Sequence, residues 1–245
     1  MNNKTNIIKV IGVIAILAVV FFAFTKMTAS NSVKAFAQSY SNFRDQQYDT
    51  FIYSYVPVVD TSVDENGKAT GDENYFTYLV GAVDTKQTNT FRKNNAEQAL
   101  SAYNSRNQKA MDTFSENIVK LDSATSKLVE TANKINNDEY RTIAIEITKY
   151  ARQIQQDYES LRLKYVERFN LQTKLLDELV KNGGGIFSLG TTLKDGGTKI
   201  PKINEDIQNL TEDADKTSQK MNDVYFSLKG RAGLKDYPNK FTENQ

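Results

Sequence analysis

An apolar stripe that advances by three residues, then four, constrains this chain more than any other feature. Ile200, Ile203, Ile207, Leu210, Ala214, Thr217, Met221, Val224 and Leu228 follow that alternation without a break. Such heptad spacing keeps one face of an α-helix turned toward a partner helix. A second stripe runs Met111, Phe114, Ile118, Leu121, Thr125, Leu128, Ala132 and Ile135. A third holds Ile143, Ile147, Tyr150, Ile154, Tyr158, Leu161, Tyr165, Phe169, Gln172, Leu175, Leu176 and Leu179, with tyrosine unusually common along it. Each stripe alone would leave a long apolar face in water, so the three must cover one another. The spacing predicts helices over about 89–135, 138–180 and 200–228. Asn136-Asn137-Asp138 separates the first two, with Asp138 as the expected cap, and Asn182-Gly183 ends the second.

The other strong constraint lies near the N-terminus. Val10 to Phe24 is an unbroken apolar run, and with Ile7 and Ile8 it extends from 7 to 24, interrupted only by Lys9. A bilayer core requires roughly 20 apolar residues of helix. A transmembrane signal-anchor helix is expected at 7–25, behind a short basic tail at 1–6. The chain is then a single-pass membrane protein with its bulk extracytoplasmic. The alternative is a cleaved signal peptide and secretion, because Ala35-Phe36-Ala37 is an A-x-A site. That site lies 13 residues beyond Phe24, which is long for such a signal. After the run, Val33, Phe36, Tyr40, Phe43 and Gln47 recur at helical spacing, which predicts a stalk helix to about Asp49.

Three stretches depart from helical periodicity. A small β-hairpin is expected within 50–84, turning at Asn66-Gly67, a pair suited to the positive φ angles of a tight turn. Asp64, Asn66 and Glu73 echo a calcium loop, but Ser62 stands where that loop begins with Asp, so a plain polar turn is the better reading. Residues 182–199 form an expected glycine-rich loop around Ile186, Phe187, Leu189 and Leu193, the candidate contacts for a partner or a membrane. It is longer than most helix–helix connections. The polar segment 231–245, with Pro238, is expected to be a flexible tail.

The resulting fold class is mainly α. An N-terminal transmembrane helix precedes an elongated antiparallel helical bundle or coiled coil over 26–230, with the hairpin as an insertion. Arg168-Phe169-Asn170-Leu171, followed by Leu175, Leu176 and Leu179, resembles a helix motif of the LemA family, which also has an N-terminal membrane segment. In that family the motif closely follows the membrane helix, whereas here it lies far downstream, so no property is carried over.

The absence of histidine and cysteine narrows the chemistry. It removes Ser-His-Asp and Cys-His catalysis, His-ligated zinc, disulfides and lipid-modified cysteine anchors. The net charge of +1 argues against an electrostatic nucleic-acid binder. No catalytic constellation stands out, so the expectation is a protein that is not an enzyme and uses no cofactor or metal. The function expected is that of a membrane-anchored helical interaction or scaffold protein, a subunit or accessory of a cell-envelope assembly. Its partners would be the lipid bilayer through 7–25 and a protein partner or a second copy, with no nucleic acid. Two alternatives stay open. One is a secreted membrane-active protein that uses the glycine-bracketed loop. The other is a ligand sensor framed by Tyr150, Tyr158, Tyr165 and the hairpin.

Overall fold

The computed structural model describes residues 31–52, 89–181, 190–235 and 237–243. Helix α1 covers 31–52, α2 Asn89–Asn133, α3 Asp138–Lys181, α4 Gly190–Ala232 and the short α5 Lys240–Glu243. The fold is mainly α, a helical bundle, and no strand occurs among the described residues. No helix among them is long and apolar enough to cross a membrane. The predicted anchor at 7–25 lies outside the described residues, as does the hairpin apart from residues 50–52. Those three are not strand. They form the end of α1, where Thr50 is buried and its hydroxyl donates to the Gln46 carbonyl at 2.7 Å and the Asn117 carbonyl at 3.4 Å.

The chain divides into two compact units. The first combines the described residues of Met1–Asp45 with Ala124–Ala151 and Gln219–Gln245. Its core holds Val33, Phe36 and Phe43 of α1 with Leu128 and Ala132 of α2. Ala144, Ile147 and Ala151 of α3 join them, with Met221, Tyr225 and Leu228 of α4. Tyr40 stacks flat on Tyr225, with ring centroids 3.7 Å apart, and its hydroxyl donates to the Asn222 side chain. Burial there pushes the Tyr40 phenol well above the usual tyrosine range.

The second unit comprises the described residues of Gln46–Ser123 and Arg152–Ser218. In it α2 and α3 run antiparallel. As α3 advances from Gln155 through Tyr165 to Thr173, its partners on α2 fall back from Asp122 through Phe114 to Asn104. The relation repeats between α3 and α4, where Lys164 pairs with Asp206 and Arg168 bonds Asn204. Farther along, Leu175 meets Gly196.

The predicted stripes fill these cores in large part. All eight positions of the α2 stripe, from Met111 to Ile135, are buried, and so are Val33, Phe36, Tyr40, Phe43 and Gln47 of α1. On α3 and α4 the buried line is rotated from the predicted one. Ala144 and Ala151 replace Ile143 and Tyr150, while Ser218 and Tyr225 replace Thr217 and Val224. On α3 the small Ala144 and Ala151 take the contact and larger neighbours fall to the flank; on α4 Tyr225 turns inward and stacks on Tyr40.

Local chemistry fixes the ends. Asn137, not Asp138, caps α3, since its side-chain oxygen accepts from the Tyr140 amide at 2.9 Å. Gly233 adopts φ 61° past the end of α4. The Gly233 amide then donates to Gly230 and the Leu234 amide to Lys229, which ties off the last turn.

Two expected irregular stretches are ordered instead. Residues 190–199, predicted as part of the glycine-rich loop, are helical, and α4 begins at Gly190 rather than Ile200. A Cβ at Gly196 would strike the Leu175 side chain, so that glycine allows a close approach that offsets its poor helix propensity. Exposed Pro201 lies inside the helix, where its ring crowds the carbonyl four residues back, and that residue is Gly197. The tail expected to be flexible docks on α1. Ser41 donates to the Pro238 carbonyl at 2.8 Å, Asp45 accepts from the Lys240 amide at 2.7 Å, and the Arg44 guanidinium lies 4.1 Å from the Phe241 ring centre.

The burial pattern gives a direct test. Phe114→Ala opens a cavity in a fully buried position and should cost about 3–5 kcal/mol in urea denaturation. Val119→Ala, at a 68% exposed position, should change stability by no more than about 0.5 kcal/mol.

Candidate functional site

The flank residues displaced by the rotated stripe line an open groove in the first unit. Ile143 of α3 and Val224 of α4 are half-buried and form the apolar floor of this groove between the two helices. Glu139, Glu146 and Asp223 stand along its walls, with the hydroxyls of Thr142 and Ser227 between them. Arg231 is the one cation lining it among the described residues, and it forms an ion pair with Glu139 that spans the helices at one end. The Tyr140 hydroxyl donates to the Arg231 carbonyl at 3.0 Å and holds that end together. Glu146 receives a long hydrogen bond from Tyr150, at 3.5 Å. Glu146 and Asp223 form no ion pair among the described residues. A smaller depression beside the groove shares Thr142 and Glu146 with it and is further lined by Ile145, Lys149 and Tyr150.

The second unit holds a different polar feature, enclosed in its core. Asp157 is 8% exposed, and Gln153 donates to its Oδ1 at 2.8 Å. Its Oδ2 is buried with no hydrogen-bond partner among the described residues, and the same holds for Gln46 Oε1. Loss of water raises the Asp157 carboxyl above the ordinary aspartate range; the Gln153 bond works against this, and the Asp213 charge on α4 adds to it. Asp215 is raised too, by desolvation. No group of three or more acidic side chains suited to a metal ion occurs among the described residues.

Of the candidate contact residues read from sequence, Ile186, Phe187 and Leu189 lie outside the described residues. Leu193 belongs to helix α4 and not to a loop. The tyrosines suggested for a ligand pocket are split: Tyr158 and Tyr165 fill the core, Tyr165 edge-on to Phe114 at 6.1 Å, while Tyr150 sits on the outer flank. The calcium-loop echo at 62–73 is outside the described residues.

The groove was missed at the sequence level because Ile143 and Val224 sit in register with the core stripe. Its one legible signal was Ala144 and Ala151, a parallel line of small residues one position along. Neither the family models nor the curated proteins nor the solved structures contain a match to this chain.

Asp157 supplies a pH test with a defined sign. Its folded-state carboxyl titrates above its unfolded one, so the folded chain holds the proton more tightly. Its contribution to stability therefore falls as pH rises from the ordinary aspartate range to the raised value, then stays flat. Asp157→Asn should raise the melting temperature at neutral pH, and the gap to the native chain should narrow on acidification. Melting curves from pH 4 to pH 7.5, about 0.5 unit apart, check both signs.

Proposed function

We propose that this chain is a membrane-anchored, extracytoplasmic helical interaction protein, a subunit or accessory of a cell-envelope assembly. The apolar run at 7–25 supplies the anchor. Among the described residues, α3 and α4 of the first unit leave an open groove along their flank. An open groove between helices suits a macromolecular partner better than a small substrate, which needs most of its surface buried.

One observation carries the anchored reading over the secreted one. Phe36 and Ala37 are fully buried in α1, and Val33 is 1% exposed. Cleavage after Ala37 would strip Val33, Phe36 and Ala37 from the core of the first unit. Each large apolar side chain so lost forfeits about 1.5–3 kcal/mol of burial. A chain built to be cut there would not seat its core on the discarded side.

The test is the intact mass and membrane behaviour of the native protein, followed by affinity purification in mild detergent through a C-terminal tag. The uncut N-terminus, retention in membranes after carbonate washing, and a defined set of stoichiometric partners are expected. A mature chain beginning at Gln38 would overturn the anchor. Recovery of a lone monomer, even after chemical crosslinking in intact cells, would overturn the interaction role.

A further inference from the structure

We propose that the α3–α4 groove of the first unit receives a basic amphipathic helix from a partner protein. The inference deepens the interaction role proposed above and rests on it. Both walls of the groove are helical stripes lying beside the core stripe. On α3, Glu139, Ile143, Glu146 and Tyr150 recur at steps of four, three and four; on α4, Val224 and Arg231 are seven apart. Two parallel stripes of this kind form the holes into which a further helix sets its knobs. From Glu139 to Glu146 the groove spans seven residues, about 10 Å of helix, or roughly two turns of an occupant. Apolar side chains spaced three or four apart on that occupant would rest on Ile143 and Val224.

The charge selects the kind of helix. Glu139 and Glu146 of α3 and Asp223 of α4 all line the groove, and Arg231 is already engaged with Glu139. Lysine or arginine beside the apolar stripe of the incoming helix would meet Glu146 and Asp223. The same acids argue against the two other plausible occupants. An anionic lipid surface would be repelled. A second copy docked through the same face would set the acidic walls against each other, because a two-fold interface pairs like surfaces.

The full chain in neutral-lipid nanodiscs and a labelled synthetic helix test this. The probe has about 14 residues, roughly two heptads, with leucine on one stripe and lysine beside it. Glu146 and Asp223 are exposed, so Glu146→Lys with Asp223→Lys should leave the melting temperature nearly unchanged. Fluorescence anisotropy should show binding to the native chain that this double variant weakens at least tenfold, on the order of 1.4 kcal/mol. Glu205→Lys with Glu212→Lys makes the same change of charge on the acidic face of α4 in the second unit, and should alter binding by less than about twofold. Val224→Thr, which keeps the shape and removes apolar surface, should weaken binding several-fold.

Equal loss from both charge-reversed pairs would reduce the effect to general attraction and overturn the proposal. No probe binding, together with a homodimer that Glu146→Lys and Asp223→Lys dissolve, would also overturn it and assign the groove to a second copy. These results are independent of the co-purification experiment. Partners can be recovered there while the groove variants prove inert, and then the interaction role stands without this site.

Discussion

Everything in this fold depends on the mutual burial of apolar stripes on helices that have no other means of support. α2, α3 and α4 are 45, 44 and 43 residues long. Their polar faces are held by short-range pairs such as Glu130 with Lys127 and Lys134, or Arg162 with Glu159. Exposed pairs of this type contribute at most about 0.5 kcal/mol each. The fully buried side chains, among them Phe36, Phe43, Phe114, Leu121, Leu128, Ile147 and Ile154, each contribute several times that. Some polar residues drawn into the core bond to their own helix. Thr131 donates to Lys127 and Leu128, and Thr148 to Ile145, so burial does not leave those hydroxyls unmatched.

Much of this was legible in the residues, for a physical reason. Heptad spacing reports which face of a helix is dry, and every position of the stripe from Met111 to Ile135 is buried. α3 and α4 each carry two adjacent stripes. There the hydrophobicity of Ile143 and Val224 outweighed the geometric advantage of Ala144 and Tyr225. A stripe of apolar residues shows that a helix has a partner; on α3 the small Ala144 and Ala151, and on α4 the Tyr40–Tyr225 stack, decide which stripe meets it. The misread start of α4 has the same origin. Glycine propensity alone makes 190–199 look like a loop, but the contact of Gly196 with Leu175 turns glycine's missing side chain into a reason for helix. The docked tail was illegible because its partners, Ser41, Arg44 and Asp45, are distant in sequence and bind its backbone and one ring.

Asp157 stands apart from this logic, since a core acid with an orphan oxygen lowers stability once ionised. An apolar residue would serve the seam better, and Leu161, one turn along the same helix, shows that the core accepts one. Polar groups inside a bundle can instead penalise other registers, because a slip would bury them with still fewer partners. Gln153 bonds to Asp157 and would lose that acceptor in a slipped register.

Alignment matters most where the bundle presents its flank. The groove exists because Ala144 and Ala151 bring α3 close while Ile143 is left beside the contact, and because Tyr225 rather than Val224 turns inward to stack on Tyr40. A shift of α4 by one residue would bury Val224, expose Tyr225 and break the Glu139–Arg231 pair at the groove's end. The Tyr40–Tyr225 stack and the Tyr40 bond to Asn222 oppose that shift from the far side of α4. The surface open to a partner is therefore set by the core contacts behind it, and its shape is as fixed as the core that excludes Ile143 and Val224.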